Sequence, residues 1–330
     1  MHSNNLAEHY VTLFDSNFLP VGMCLHASMM KHAQPFHLWI VCMDELVERR
    51  LRLLDLQNVS LIPLQEVETE ALLGVKGGRT QGEYCWTLTP FTSQFVFDRD
   101  SNVSQVTYLD ADIYFFDSPK ILLDEFSASN KDVLITEHAY APDYDYTKLC
   151  GKFCVQFMTF KRTGGGRKVM QWWQDRCIEW CFRRYEDGKL GDQMYLNDWP
   201  ERFASEVHVL QQKERTLAPW NAAYYLNRPD ACVPVMFHFQ NFRVLTDKKM
   251  RWYKGYRRMG LEADKYYQQY SLEMIRSLAL IYDRFSVAPT ANDENTIKRK
   301  LVKMLYILTR RTVYFDYSLN GVIPLCVPKE

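Results

Sequence analysis

The sequence lacks the long apolar runs of a membrane-spanning protein. Its 330 residues contain no stretch close to the ~20 apolar residues that cross a bilayer, and the polar residues 1–5 do not form a signal-peptide pattern. Internal repeats and low-complexity segments are also missing. We therefore expect a globular cytoplasmic protein whose contact with the inner face of the membrane would be peripheral.

The nine cysteines do not form a disulfide pattern. They are scattered, odd in number and mostly inside apolar runs, which is typical of reduced intracellular proteins. Cys150/Cys154 and Cys177/Cys181 each have a spacing of four, so a zinc site stays open as an alternative. Zinc pairs more often lie around turns, whereas Cys177 and Cys181 fall in an aromatic, helix-like run.

The net charge is zero, but the two parts of the chain differ. Residues 1–245 hold 24 Lys and Arg against 31 Asp and Glu, and residues 246–330 hold 16 against 9. A basic C-terminal part suggests an anionic neighbour such as a phosphate or a membrane surface. Alternatively, it docks on the acidic front part. A nucleic-acid partner is not expected.

Residues 294–311 are the main basis for the hypothesis that the C-terminal part contacts a membrane surface. Basic residues flank the apolar Leu301, Met304, Leu305 and Leu308, which is the composition of a helix on an anionic membrane surface. The alternative is that the apolar stripe packs on the rest of the protein. The stripe is narrow and lacks Trp, and this favours the alternative.

Two carboxylates interrupt the apolar run 106–116, with Asp110 and Asp112 separated by one residue. On an extended chain both side chains point to the same face. A pair of hard oxygen donors suits Mg²⁺ or Mn²⁺ together with substrate phosphates. The Asp-x-Asp triplet alone is weak evidence for a metal site, since it also occurs in solvated turns.

Strand-like and helix-like segments alternate over the first 140 residues, which predicts a mostly parallel sheet with helices on both faces. The predicted strands are residues 10–14, 36–42, 59–62, 105–109, 132–136, 155–160 and 233–239. The predicted helices are residues 20–30, 44–54, 88–97, 172–182 and 261–284. After about residue 245 the pattern becomes helical.

Glycine is concentrated in two places. Residues 74–82 are predicted to form a loop. Gly164, Gly165 and Gly166 precede a helix and could cradle a phosphate at its N-terminus. A flexible turn is favoured, because the Lys-Ser/Thr signature of a P-loop is missing.

Five segments occur in a recognisable order. They are Tyr10-Val11-Thr12-Leu13-Phe14-Asp15, Tyr84-Cys85-Trp86-Thr87-Leu88-Thr89-Pro90, Tyr108-Leu109-Asp110-Ala111-Asp112, Gly191-Asp192-Gln193-Met194-Tyr195-Leu196-Asn197 and Phe237-His238-Phe239. In this order the chain resembles GT-A glycosyltransferases, especially the bacterial relatives of glycosyltransferase family 8.

The resemblance implies an α/β, Rossmann-like fold of the GT-A type. A catalytic domain would cover residues 1–245, with a mostly parallel mixed sheet flanked by helices, and a basic helical extension would cover residues 246–330. The implied activity is metal-dependent transfer of a hexosyl group from a nucleotide sugar to a glycan or lipid-linked acceptor. The family further suggests a UDP-linked donor, retention of configuration, and a place in surface polysaccharide or lipopolysaccharide assembly.

The resemblance assigns Asp110 and Asp112 to the metal-binding motif under the donor diphosphate. Ala111, between them, is included with the donor-binding residues. His238 matches a third ligand, and neutral imidazole on Mn²⁺ is chemically reasonable. Arg243 would be the cation that binds the diphosphate.

The same resemblance assigns residues to the nucleotide and the sugar. Thr12, Phe14 and Asp15 lie where the family's first strand meets the nucleotide base. Asp192 would bind sugar hydroxyls, and the Gln193 carbonyl would face the developing oxocarbenium.

Two of these residues have purely structural alternatives. His238 lies between Phe237 and Phe239 and could be a core histidine. Asp192 could simply cap the short helix that begins at Gln193.

The chain departs from the family pattern at two positions of one strand. The family usually has Asn and Gly where this chain has Cys154 and Gln156. Gly lets a backbone approach a sugar closely, so Gln156 would narrow or reshape the donor pocket. These changes leave the sugar identity, and the activity itself, open.

Two other functions compete with the leading one. A sugar nucleotidyltransferase shares the sheet and the metal site, but residues 15–22 hold one Gly and no basic residue, unlike its nucleotide-binding loop. A catalytically inactive binding or scaffold protein would keep the fold, with Cys154 and Gln156 as signs of lost activity.

Overall fold

Thirteen strands and eleven helices are present in the computed structural model, which describes residues 7–246, 249–256, 258–286 and 312–316. The strands are β1 Glu8–Phe14, β2 Phe36–Cys42, β3 Val59–Pro63, β4 Gln105–Leu109, β5 Ile113–Phe115, β6 Val133–Glu137, β7 Phe153–Lys161, β8 Val207–Val209, β9 Thr216–Leu217, β10 Met236–His238, β11 Arg243–Thr246, β12 Lys249–Lys254 and β13 Thr312–Asp316. The helices are α1 Leu19–His32, α2 Glu45–Leu54, α3 Glu70–Lys76, α4 Gln81–Leu88, α5 Thr92–Arg99, α6 Lys120–Ser129, α7 Thr147–Cys150, α8 Gly164–Glu179, α9 Trp199–Arg202, α10 Ala222–Leu226 and α11 Leu261–Phe285.

The main sheet has seven strands in the order β3-β2-β1-β4-β7-β6-β8. Strands β1 to β4 are parallel, and β6 and β8 run in the same direction. Only β7 is reversed, because it pairs antiparallel with both β4 and β6. The predicted mostly parallel mixed sheet is therefore confirmed.

Helices cover both faces of this sheet, and the alternation of side chains along β1 shows why. Val11 and Leu13 point into the core formed with α3, α4, α5 and α8. Tyr10 and Phe14 point into a second core formed with α1, α2 and α6. The buried part of β1, residues 10–14, is apolar apart from Thr12, as expected for a strand covered on both faces.

Two predicted boundaries are wrong near the glycines and prolines of the first half. Residues 74–82 are not a loop, because α3 continues to Lys76 and α4 begins at Gln81. A capping box between Thr80 and Glu83 starts α4. The predicted helix 88–97 is interrupted by a 3₁₀ turn around Pro90, which has no N–H to donate.

The chain after residue 245 is not purely helical. Strands β11, β12 and β13 form an antiparallel sheet, and the predicted helix 261–284 is confirmed as α11. Local periodicity could not find this sheet, because β12 pairs with a strand far along the chain. Tyr267 and Tyr270 of α11 share a core with Phe237 and Phe239, so the extension packs directly on the predicted catalytic domain.

The membrane-contact segment, residues 294–311, lies outside the described residues, so the hypothesis about it stays a prediction. Within the described ranges, none of the helices combines the length and apolar composition that a membrane crossing requires.

The three glycines at residues 164–166 are neither a loop nor a phosphate cradle. They form the first turn of α8, where Thr163 Oγ1 accepts a hydrogen bond from Gly166 N at 3.0 Å. Asp132 already lies against this turn, since a Cβ added to Gly165 would be 2.2 Å from its Oδ2 atom. The position that a phosphate would take is therefore next to a carboxylate.

This turn predicts opposite effects for two neighbouring substitutions. A Cβ on Gly166 would be 2.2 Å from the Lys161 carbonyl oxygen, whereas a Cβ on Gly164 would meet nothing within 4 Å. We expect Gly166→Ala to destabilise the protein by roughly 1–3 kcal/mol and Gly164→Ala to stabilise it by up to about 1 kcal/mol. Chemical denaturation of both variants measures the difference; equal stabilities would contradict it.

Candidate active site

The turn between β4 and β5 carries both carboxylates of the predicted metal motif. Asp110 and Asp112 do not lie on an extended strand as expected, because the Asp110 carbonyl accepts a hydrogen bond from Ile113 N at 3.2 Å. The chain therefore reverses over these residues. The two carboxylates converge through a tight turn rather than through strand alternation.

His238 reaches this turn through the pairing of β10 with β5, in which His238 is opposite Ile113. Its Nε2 atom lies 3.0 Å from Asp112 Oδ1 and 3.7 Å from Asp110 Oδ2. The three side chains offer ligand atoms within 4.8 Å of one another, and they are the one such group among the described residues. His238 is buried, but its contacts with two carboxylates distinguish it from an ordinary core histidine.

The other ring nitrogen and one carboxylate are held by neighbouring side chains. His238 Nδ1 lies 2.9 Å from Gln156 Oε1, and the Tyr108 hydroxyl donates to Asp110 Oδ1 at 2.9 Å. Gln156 was predicted to reshape the donor pocket; the structure places it behind the histidine instead.

Burial and charge act in opposite directions on the pKa values of His238 and Asp112. Burial lowers the pKa of His238, but Asp112 and then Asp110 outweigh it and raise that pKa well above its usual range. Burial raises the pKa of Asp110 despite the nearby imidazole. Burial also opposes ionisation of Asp112, but His238 and Arg243 lower its pKa. Asp110 thus remains a buried carboxyl group that resists ionisation, and a further cation beside it would favour its charged form.

A cavity of about 790 Å³ opens beside the cluster. Most of the predicted site residues line it, and these are Phe14, Asp15, Asp110, Ala111, Asp112, Asp192, Gln193, His238 and Arg243. Thr12 does not line it. It lies inside β1, where the sheet is covered on both faces, and its side chain is fully buried.

One end of the cavity is formed where β1 ends. The Asp15 carboxylate accepts hydrogen bonds from Phe18 N at 3.1 Å and from Gln81 Nε2 at 2.7 Å. The guanidinium of Arg243 lies 5.3 Å from the Phe18 ring centroid, and its charge lowers the pKa of Asp112. The positive charge of Arg243 therefore lies between this end of the cavity and the acidic cluster.

Asp192 occupies the N-terminal position of a 3₁₀ helix, Gln193–Asp198, but its side chain makes no capping hydrogen bond. The capping alternative is therefore not supported. Burial first, and then the Asp110 carboxylate, raise the pKa of Asp192 to about 8. Gln193, the next residue, donates a hydrogen bond from Nε2 to Cys150 O at 2.7 Å. This bond fixes the orientation of the Gln193 side-chain amide.

Aromatic residues around the cavity were missed by the sequence analysis. The missed lining residues with rings are Phe18, Trp86, Tyr108, His138, Tyr140, Tyr144, Tyr146, Trp220 and Tyr256. The tyrosine-rich run 140–146 was the available signal, since three tyrosines lie within seven residues. The zinc alternative is not supported, because Cys177 and Cys181 are buried members of the core.

No protein-family model matches the chain. Two proteins of Bacillus subtilis strain 168 are similar to it in sequence. The uncharacterized protein YfnF is 27% identical over 255 residues, which are 73% of this chain and 84% of that protein. The uncharacterized protein YfnD is 28% identical over 257 residues, which are 74% of this chain and 82% of that protein.

Three solved structures are also similar. Mouse xyloside xylosyltransferase 1 in its apo form is 14% identical with a TM-score of 0.48, covering 71% of this chain and 98% of that chain. The glycosyltransferase GlyE of Streptococcus pneumoniae TIGR4 is 15% identical with a TM-score of 0.48, covering 88% of this chain and 66% of that chain. Galactosyltransferase LgtC, in complex with donor and acceptor sugar analogues, is 15% identical with a TM-score of 0.48, covering 70% of this chain and 87% of that chain. All three are named as glycosyltransferases.

The raised pKa of Asp192 predicts a pH-dependent stability. Between its ordinary value of 3.8 and about 8, the folded state binds more protons than the unfolded state. The free energy of unfolding therefore falls as pH rises through this window. An Asn side chain does not ionise, so Asp192→Asn removes this fall in the free energy of unfolding. We therefore expect the variant to be more stable than the wild type by a few kcal/mol at about pH 9, and equally stable at about pH 4.

Urea unfolding in EDTA across this pH range measures the effect. Asp187→Asn, in an exposed position of the preceding loop, is the matched control and should follow the wild type throughout. A constant difference between Asp192→Asn and the wild type at all pH values would contradict the prediction.

Proposed function

We propose that the protein is a metal-dependent glycosyltransferase. It would transfer a sugar from a nucleotide-sugar donor, with uridine as the base, to a glycan or glycolipid acceptor. The observation that carries this proposal is the convergence of Asp110, Asp112 and His238 at the wall of the 790 Å³ cavity. Surface polysaccharide or lipopolysaccharide assembly is the proposed setting, and retention of configuration the proposed outcome.

The side chains of Asp110, Asp112 and His238 fit a divalent cation. Two carboxylates and one imidazole suit Mn²⁺ or Mg²⁺, and a hydrogen bond at Nδ1 leaves His238 Nε2 as the ligand atom. When bound, such an ion stabilises negative charge on the departing diphosphate, an effect worth several kcal/mol.

The remaining charges of this wall favour a diphosphate. Arg243 lies close enough to Asp112 to lower its pKa, so a phosphate bound near the carboxylates would also be near a guanidinium. Phe14 and Asp15 are proposed to meet the nucleotide base, since both line the cavity where β1 ends. Ala111 would lie beside the diphosphate within the same turn.

Asp192 and Gln193 are proposed to meet the transferred sugar. With its pKa raised to about 8, the Asp192 carboxyl is largely protonated at neutral pH and can donate a hydrogen bond to a sugar hydroxyl. The Gln193 amide donates to Cys150 O, which leaves its carbonyl oxygen to face developing positive charge at the anomeric carbon.

The aromatic wall supports a carbohydrate acceptor. His138 and Tyr140 are stacked, with ring centroids 4.8 Å apart, and Tyr144 and Tyr146 lie 4.6 Å apart. Tyr146 is 40% exposed, so its ring is open to a ligand. Flat apolar rings with polar edges suit sugar faces, which carry both C–H and hydroxyl groups.

The metal assignment predicts a loss of nucleotide binding on a minimal change. Asp112→Asn removes one charged ligand while keeping the side-chain shape, so we expect UDP with Mn²⁺ no longer to stabilise the protein. Wild type should be stabilised by about 2.7 kcal/mol at a hundredfold excess of ligand over its dissociation constant. Thermal shift with UDP, with and without Mn²⁺, is the measurement.

Asp124→Asn is the matched control, because Asp124 is a surface carboxylate paired with Lys120 on α6. It should retain the full Mn²⁺-dependent shift. A normal shift for Asp112→Asn would contradict the metal assignment. Pyrophosphate release from a nucleoside triphosphate and a sugar phosphate would instead support a nucleotidyltransferase, and no response to any nucleotide sugar would support a scaffold protein.

A further inference from the structure

Gln156 is a buried polar residue in the middle of β7, with no exposed surface. Its Oε1 atom lies 2.9 Å from Nδ1 of His238. An amide oxygen can only accept a hydrogen bond, so the Nδ1 atom of His238 carries a proton in this arrangement. Nε2, the atom that faces Asp112 and Asp110, is then the ring nitrogen whose proton a cation would replace.

The backbone of Gln156 is connected to the same site. Its carbonyl oxygen accepts a hydrogen bond from Asp110 N at 3.1 Å, at the point where the antiparallel pairing of β4 and β7 ends. One residue therefore fixes the start of the carboxylate turn through its main chain and the imidazole through its side chain.

Two further groups restrict the imidazole. Cys154 lies two residues before Gln156 on β7, and its thiol also interacts with His238. The Trp220 ring packs edge-on against the imidazole, with centroids 5.4 Å apart and an interplanar angle of 88°. The two residues that depart from the family pattern thus contact one histidine.

Gln156 also carries a cost that a purely structural residue would avoid. Its Nε2 atom is buried and makes no hydrogen bond within the described part of the chain. A buried unpaired donor destabilises a fold, and such groups in native proteins call for a functional explanation. An apolar side chain of the same shape would satisfy the core as well.

We propose that Gln156 is a positioning residue of the cation site, which holds His238 with its Nε2 lone pair directed between Asp110 and Asp112. This inference rests on the proposed metal-dependent function. Loss of a hydrogen-bonded partner behind a metal-binding histidine typically weakens metal affinity by about 10–100-fold. We expect this range for a variant without the acceptor.

The test compares three variants of the full chain. Gln156→Met is nearly isosteric but lacks the acceptor, and Gln156→Glu keeps an acceptor at the same distance. Thr159→Val is the matched control, because Thr159 is buried on the same strand and shares its hydrogen bond with Thr107 at 2.9 Å, away from His238. Mn²⁺ affinity is measured by EPR titration without nucleotide, and thermal stability is measured in parallel.

The expected pattern separates positioning from stability. Gln156→Met should bind Mn²⁺ about 10–100-fold more weakly with little change in melting temperature, since it loses one hydrogen bond and one unpaired donor together. Gln156→Glu should restore the affinity. Thr159→Val should melt at a lower temperature but bind Mn²⁺ like the wild type. Wild-type affinity in Gln156→Met overturns the inference.

A metal-free readout keeps this outcome distinct from failure of the proposed function. ¹⁵N NMR should show a slowly exchanging Nδ1–H of His238 in the wild type that is lost in Gln156→Met. If the wild type shows this proton but binds no Mn²⁺, the proposed function fails and the positioning of His238 stands. If the wild type has no Nδ1–H, the inference fails whatever the metal affinity.

Discussion

The pairing of β10 with β5 is the interaction on which the candidate site depends. It places His238 opposite Ile113, and Phe239 N donates to Asp112 O at 2.8 Å. Without it, His238 would not meet the carboxylate turn after β4. Because β5 begins directly after Asp112, the same short strand both closes the turn and receives the histidine.

Aromatic packing from the C-terminal part holds β10 in place. Phe239 stacks on Tyr270 with centroids 3.9 Å apart and nearly parallel planes, and Phe237 meets Tyr267 edge-on at 5.4 Å. These tyrosines belong to α11, which follows the predicted catalytic domain. Helix α11 therefore packs against the strand that carries His238 and supports the candidate site. Large buried rings of this kind contribute strongly to the stability of a core.

The sequence predicted the main sheet well, because β1, β2 and β4 are apolar runs whose burial depends on local composition. It also singled out Asp110, Asp112 and His238, which the structure brings together. It assigned the carboxylate pair to an extended strand, since periodicity cannot distinguish a strand end from a turn. The contact between Gln156 and His238 could not be predicted, because it joins two strands of different sheets. The same limit hid β12 and β13, which pair with each other across a long sequence separation.

Anomalous diffraction from crystals grown with Mn²⁺ and UDP tests the central claim most directly. We expect one strong manganese peak within coordination distance of Asp110, Asp112 and His238 Nε2, with the diphosphate bound to the same ion and the base toward Phe14 and Asp15. An ordered UDP elsewhere in the cavity, with no manganese at these three side chains, would contradict it.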